Sequence, residues 1–183
     1  MNISIRQAQA SDASALAELA ALTFPLACPP ASPASEVAAF VEQNLGAGSF
    51  AKYLADPQRV LFVAEEVGGE AAGRLLAYTM LVDAPPLDGD VAAVVTDPAA
   101  VELSKCYVHP DSHGSGVAAR IVGTSLGWVA EHGPRDTWLG VNSENMRAQT
   151  FYAKQGFSVA GTRSFQLGTR IEHKTSVPAY FHY

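Results

Sequence analysis

The chain has 183 residues, of which 48% are hydrophobic and 16% charged, with a formal net charge of −6 at pH 7. This composition predicts one soluble globular domain spanning residues 1–183, and the acidic balance argues against nucleic acid as a partner. Two cysteines are too few for a disulfide framework or a metal cluster. A signal-peptide pattern and an apolar run of ~20 residues are both missing, so we expect a cytoplasmic protein with no membrane partner.

Alternation and helical periodicity predict the elements of the first hundred residues. In chain order these are a strand over residues 3–7, helices over 12–23 and 35–45, a helical turn at 50–54, strands over 59–66 and 74–83, and a loop over 84–100. Ser11 is the expected N-cap of the first helix. The prolines that begin at Pro25 should end that helix, because proline disrupts a helix interior.

The second part of the chain predicts two strand–helix units and a final pair of strands. They comprise a strand over residues 102–108 and a helix from 117, a strand over 137–141 and a helix over 145–155, and strands over 158–167 and 173–181. Gly156 is a suitable C-terminal glycine for the second of these helices. The pattern as a whole predicts an α/β (α+β) domain.

A glycine-rich turn separates the strand that begins at Glu102 from the next helix. Backbone N–H groups in the first turn of a helix have no intrahelical partner, and glycines allow a phosphate to approach them. The segment from His113 to Ala118, HGSGVA, therefore predicts a site for a phosphate-bearing cofactor. It lacks the Lys and Ser or Thr of a P-loop. The overlapping segment from Gly114 to Ala119, GSGVAA, matches the dinucleotide pattern G-x-G-x-x-A, but the acidic residue and second half expected of that fold do not follow.

Two motifs in register resemble those of the GNAT superfamily of N-acetyltransferases. The first is His113-Gly114-Ser115-Gly116-Val117-Ala118, similar to [Q/R]-x-x-G-x-[G/A] with histidine at the first position. The second runs from Asn145 to Phe157 and fills every named position of N-x-x-A-x-x-F-Y-x-x-x-G-F. The element order is also that of the superfamily. Bacterial spermidine/spermine acetyltransferase-like members look most similar.

The resemblance implies a GNAT fold with acetyl-CoA as co-substrate and no metal. Its central sheet would be mixed and mostly antiparallel, with about six to seven strands flanked by helices, and splayed at the strand before the glycines. The implied cofactor contacts are Cys106, Tyr107 and Val108 on that strand, His113, Gly114, Ser115, Gly116, Val117 and Ala118 in the turn, and Asn145 and Tyr152 in the second motif. Asn145 is also a suitable helix N-cap, and both roles can hold at once.

The resemblance also implies two catalytic residues. Tyr152 occupies the position of the general acid that protonates the departing thiolate, although it could instead be a packing tyrosine. Glu102 is the candidate base that takes a proton from the acceptor amine, although it could be a solvated residue at a strand end. Cys106 has no neighbouring histidine or acid to activate it as a nucleophile, so we expect it to fill space.

The expected acceptor is a primary amine of a small molecule, polyamine-like or amino-acid-like, attacking the thioester directly in a ternary complex. A polyamine would need several carboxylates along one channel, and the sequence does not show that they converge. The alternatives are a protein or peptide acetyltransferase and a non-catalytic acyl-CoA sensor. A homodimer is expected from the resemblance alone.

Overall fold

The computed structural model describes residues 2–87, 89–142, 145–167 and 170–179. Its strands are β1 Ile3–Gln7, β2 Arg59–Glu66, β3 Leu75–Val82, β4 Val101–Val108, β5 Thr137–Asn142, β6 Gly161–Leu167 and β7 Arg170–Ala179. Its α-helices are α1 Ala13–Ala27, α2 Ala34–Leu45, α3 Ala47–Ala55, α4 Gly89–Ala92, α5 Val117–Glu131 and α6 Met146–Lys154.

The strands form one sheet in the order β1-β2-β3-β4-β5-β7-β6, and every neighbouring pair is antiparallel except β4 and β5. The parallel pairing of β4 with β5 covers only Val101–Thr137 and Glu102–Trp138. Beyond Glu102 the two strands diverge. The fold class predicted from the sequence, a mixed and mostly antiparallel sheet that splays at this strand, is confirmed.

A β-bulge interrupts β4 at Ser104. Lys105 lies opposite Met80 and Leu103 lies opposite Leu81, so Ser104 is the extra residue on its strand. Because side chains alternate along a strand, an extra residue exchanges the two faces beyond it. Leu103 and Cys106 consequently pack in the same core under α5. Glu102 and Tyr107 share the opposite face.

Two apolar cores cover the faces of the sheet. The core on the α5 side contains Leu103, Ile121 and Val122, whereas the core on the α1 and α3 side contains Leu16, Phe50 and Tyr78. A third, small cluster joins the segment around α4 to Trp138 on β5. Burying both faces of the central strands fixes the position of the gap between β4 and β5, since neither strand can rotate without exposing apolar surface.

The start of α1 differs from the prediction. Ser11 is not the N-cap, because Ala10–Asp12 form a 3₁₀ turn and Asp12 takes that position. The Asp12 carboxylate accepts the Gln9 N–H at 2.7 Å and two hydrogen bonds from Arg6, at 2.8 and 3.0 Å. The pKa of Asp12 is lowered, chiefly by hydrogen bonding to Arg6. This anchor ties the entrance of α1 to β1.

The end of α1 differs as well, since the helix continues through Pro25 to Ala27. Pro25 lies in the last turn with only Leu26 and Ala27 of the helix after it, so the disruption that proline causes is confined to the end of the helix. The predicted loop over residues 84–100 contains α4. The predicted strand over 158–167 begins at Gly161. The predicted strand over 173–181 is observed as Arg170–Ala179, and its last two positions lie outside the described residues.

Within the described residues, none of the helices has the length and hydropathy that a membrane span requires.

Candidate functional site

The divergence of β4 and β5 opens a cleft that contains two adjoining cavities, of about 290 and 470 Å³. Both cavities use residues of α1, β4 and α6. The residues that line both are Ala27, Cys106, Tyr107, Asn145, Ala148 and Tyr152. The two spaces therefore meet at the edge of β4 that β5 has left, where the backbone groups of the strand are open to an added chain.

The larger cavity lies at the N-terminus of α5. Gly116 is the N-cap of this helix with φ of 82°, and Gly114 has φ of 81°. A Cβ atom placed on either glycine would have no heavy atom within 4 Å, so both face open space. Because the first-turn N–H groups of α5 carry partial positive charge, this end of the cavity suits an anion.

The charge around the larger cavity is positive among the residues that the structure describes. Arg147 lines it, and no aspartate or glutamate does so among the residues that the structure describes. His113 also lines it, with Nε2 at 3.2 Å from the carbonyl oxygen of Val108. In a chain of net charge −6, a cavity bordered by a guanidinium and a helix N-terminus is a local site for a negatively charged ligand.

Tyr152 and Cys106 meet where the two cavities join. The Tyr152 hydroxyl lies beside the sulfur of Cys106, and each group affects the pKa of the other. Burial raises the pKa of the Cys106 thiol to about 11, an effect that the interaction with Tyr152 partly offsets. Burial also raises the pKa of Tyr152 well above its usual value. Both groups are therefore protonated at neutral pH, and Tyr152 keeps a proton that it can donate.

Asn145 lies at the start of α6, beside the same junction. Its Oδ1 accepts the backbone N–H of Ala148 at 3.0 Å, which confirms the predicted N-cap. The side-chain amide group remains at the edge of both cavities. Its predicted contact with a cofactor stays a prediction.

The smaller cavity is bordered by α1, α2 and the face of β4 that carries Glu102, Lys105 and Tyr107. The rings of Phe24 and Phe40 stack at 4.8 Å between centroids and 10° between planes. Tyr107 lies 6.2 Å from Phe24. Glu102 is the one carboxylate among the described lining residues of this cavity. The cavity thus combines an aromatic side with one acidic and one basic group.

Most of the residues predicted as a site lie together in this cleft. Glu102 lines the smaller cavity, and the larger one is lined by Cys106, Tyr107, Val108, His113, Gly114, Gly116, Ala118, Asn145 and Tyr152. Ser115 and Val117 line neither. The Ser115 hydroxyl donates to the carbonyl of Ser112 at 2.7 Å, and the Val117 side chain is buried in the core.

No residue of α1 or α2 was predicted from the sequence as a site residue. Thr23, Leu26 and Ala27 line the larger cavity, and Phe24 and Phe40 line the smaller. Phe24, Leu26 and Ala27 lie beyond the predicted end of the first helix at Thr23. The missed signal was the helix-compatible Leu26-Ala27 after Pro25. Arg147 was also missed, although its place in the first turn of α6 follows from the motif.

In the described part of the chain, no three His, Cys, Asp or Glu side chains are grouped to hold a metal ion.

Comparison with known proteins identifies the family that has this arrangement. The family model described as the acetyltransferase (GNAT) family matches residues 16–157. The chain belongs to the GNAT family. Uncharacterized N-acetyltransferases of Mycobacterium tuberculosis and Mycobacterium bovis are each 44% identical to it over 163 residues, which covers 89% of this chain and 94% of theirs. The acetyltransferase class predicted from the sequence is thus confirmed.

Solved structures share the fold at low sequence identity. PaiA N-acetyltransferase from Thermoplasma acidophilum, in complex with coenzyme A, has a TM-score of 0.74 at 14% identity and covers 99% of this chain and 100% of that one. The ribosomal-protein-S18-alanine N-acetyltransferase of Escherichia coli has a TM-score of 0.68 at 16% identity, covering 100% and 97%. These likenesses support the GNAT fold and leave the acceptor undetermined. A particular likeness to spermidine acetyltransferases is not found among these relatives.

Proposed function

We propose that this GNAT protein transfers the acetyl group of acetyl-CoA to a primary amine of a small molecule, by direct attack in a ternary complex. One observation carries the proposal. A larger cavity suited to an anionic cofactor and a smaller one that contains a carboxylate meet at Tyr152 and Cys106. An acceptor and a donor bound in these two spaces would bring their reacting atoms together there, which is how positioning lowers the barrier of a two-substrate reaction.

The larger cavity would hold the cofactor. The first-turn N–H groups of α5 and the Arg147 guanidinium provide positive charge for phosphate groups, and Gly114 and Gly116 leave the approach open. Beyond Glu102, the edge of β4 at Cys106 to Val108 offers backbone N–H and C=O groups to a chain of amides. When bound, acetyl-CoA supplies an acetyl group already activated as a thioester.

The residues at the junction provide the proton transfers. Glu102 is the proposed base that accepts a proton from the acceptor amine, because a protonated amine has no lone pair for attack. Tyr152 is the proposed acid at the leaving sulfur, and its raised pKa keeps it protonated. Cys106 is not a nucleophile in this proposal, since a thiol with a pKa of about 11 carries little thiolate at neutral pH.

The size of the smaller cavity favours a small acceptor. Its volume is about 290 Å³, whereas a protein substrate would need a groove long enough to hold several residues. A protein or peptide acceptor remains the alternative within the enzyme class, and an acyl-CoA sensor is the alternative outside it.

Because Cys28 and Cys106 are both free thiols, a reducing compartment such as the cytoplasm suits the protein.

The test is thiol release from acetyl-CoA with a panel of polyamines, amino acids, amino sugars and short peptides, with acetyl-CoA binding measured by calorimetry. We expect release with one class of small amine. Release with peptides alone would support the protein acceptor. Binding without release across the panel would support the sensor, and the absence of binding would refute the proposed cofactor site. Tyr53→Phe is a matched control for Tyr152→Phe, because Tyr53 lies outside both cavities.

A further inference from the structure

His113 lies in the turn between β4 and α5 and lines the larger cavity. A short 3₁₀ segment, Pro110–Ser112, precedes it, and Gly114 and Gly116 follow it with positive φ. The residue has an extended backbone, with φ of −63° and ψ of 134°, and it is exposed. The imidazole therefore borders the same cavity as the N–H groups at the start of α5, which have no intrahelical partner.

One nitrogen of the His113 ring is already engaged. Nε2 lies 3.2 Å from the carbonyl oxygen of Val108, the last residue of β4. A carbonyl oxygen only accepts hydrogen bonds, so Nε2 carries the proton and donates it. A neutral imidazole has a single N–H, and Nδ1 is then left with a lone pair. In its neutral form, His113 can thus offer a ligand an acceptor but no second donor.

A phosphate group needs a donor at this position. Its oxygens accept hydrogen bonds, and the lone pair on a neutral Nδ1 would repel them. A proton on Nδ1 converts the ring of His113 into an imidazolium, which supplies a donor and a positive charge together. A bound anion favours that charged form, as an opposite charge does for any titratable group. Anion binding at this ring is therefore coupled to the uptake of one proton.

The groups around His113 leave this coupling to the ligand. Among the described residues that line the larger cavity, Arg147 on α6 is the one further charged side chain, and none of them is a carboxylate. Asp111, in the same turn, lies 3.6 Å from Nη1 of Arg74 and 3.6 Å from Nδ1 of His109. The other titratable groups of the cavity keep their protons at neutral pH because burial raises their pKa values, and they are Cys106, Tyr107 and Tyr152.

We propose that His113 binds a phosphate group of acetyl-CoA in its imidazolium form, so that the protein takes up a proton from solvent when the cofactor binds. This inference rests on the proposed function, which assigns the cofactor to the larger cavity, and it adds a pH-dependence to that site. Affinity should be highest where His113 is already protonated and should fall as pH rises through the range in which histidines ionise. Arg147 and the start of α5 stay positive in that range, so binding is weakened and not lost.

Calorimetry of acetyl-CoA binding in buffers of different ionisation enthalpy tests this inference, because it counts the protons taken up. We expect uptake of part of a proton by the wild type at about pH 7.5 and less by His113→Gln. From about pH 5.5 to 8.5, the Kd of the wild type should rise by about three- to tenfold more than that of His113→Gln. The comparison cancels the ionisation of the cofactor's own phosphate, since both proteins bind the same ligand.

Two further variants serve as controls. His113→Arg keeps a permanent charge and should bind acetyl-CoA without the pH-dependence that is specific to the wild type. His132→Gln changes an exposed histidine at the opposite end of α5, outside both cavities, and should keep the wild-type proton uptake. Circular dichroism shows whether each variant is folded, and His113→Arg provides the comparison with the wild type if His113→Gln is not.

The outcomes separate this inference from the proposed function. Equal proton uptake by the wild type and His113→Gln, with binding intact, would overturn the inference and leave the transferase standing. A loss of affinity in His113→Gln that is the same at every pH would also overturn it, because the side chain would then act without its charge. Proton uptake that depends on His113, with no thiol release from any amine, would uphold the inference and refute the transferase. Absence of acetyl-CoA binding to the folded wild type would overturn both.

Discussion

The Tyr152 hydroxyl on α6 lies beside the Cys106 thiol on β4, across the gap that opens where β4 and β5 part. This contact lies where the smaller and larger cavities meet. The thiol is a weak acceptor. A thiolate that develops on a bound ligand would be a much stronger acceptor, so Tyr152 can turn to it at little cost.

Tyr152→Phe should lower kcat by about a hundredfold while changing the KM for acetyl-CoA by less than about threefold. The phenyl ring keeps the packing against Phe151 and Phe157, so only the interaction with the leaving group is lost. Steady-state kinetics measures the effect. Tyr53→Phe also removes one hydroxyl hydrogen bond, to the Asn44 carbonyl at 2.9 Å, and should retain wild-type kcat. Equal kcat values for the two variants would remove Tyr152 from the mechanism.

Gly116→Val should weaken acetyl-CoA binding by at least about tenfold, because its side chain would occupy the open space in front of α5. The φ of 82° adds backbone strain of ~1–3 kcal/mol. Gly73→Val is the matched control, since Gly73 has φ of 86° in the turn between β2 and β3 and lines neither cavity. Calorimetric affinity should fall only in the Gly116 variant. Similar losses in both would assign the effect to strain.

The two motifs allowed the N-terminus of α5, the cap at Asn145 and the position of Tyr152 to be predicted, because each depends on local sequence. The bulge at Ser104 could not be predicted, since it depends on the register with β3. The alternation of β4 taken alone would separate Glu102 from Tyr107. The aromatic side of the smaller cavity was missed for a similar reason. Phe24 and Phe40 belong to different helices, and only tertiary packing brings them together.

Glu102→Gln should lower kcat by about a hundredfold and remove the acidic limb of the pH–rate profile. The amide keeps the shape of the side chain but cannot accept a proton. Measuring kcat and kcat/KM between pH 5.5 and 9 tests this prediction. Glu42→Gln on the exposed side of α2 should leave the profile intact. A wild-type profile in Glu102→Gln would assign the residue to binding or structure, and a water-mediated base elsewhere would then be needed.

The free energy of unfolding should decrease as pH rises from about 9 to about 11, in part through Cys106. Its pKa is about 11 in the folded protein against 9.0 for an unperturbed thiol, chiefly because of burial. In this window the unfolded chain has lost the thiol proton and the folded chain retains it, so each pH unit favours unfolding by up to ~1.4 kcal/mol. Below pH 9 both states bind the proton and the effect vanishes.

Urea unfolding at several pH values should show a shallower alkaline slope for Cys106→Ala than for the wild type. Cys28→Ala controls for loss of a thiol as such. Parallel slopes for the wild type and Cys106→Ala would mean that Cys106 ionises near its ordinary pKa and is hydrated in the cleft.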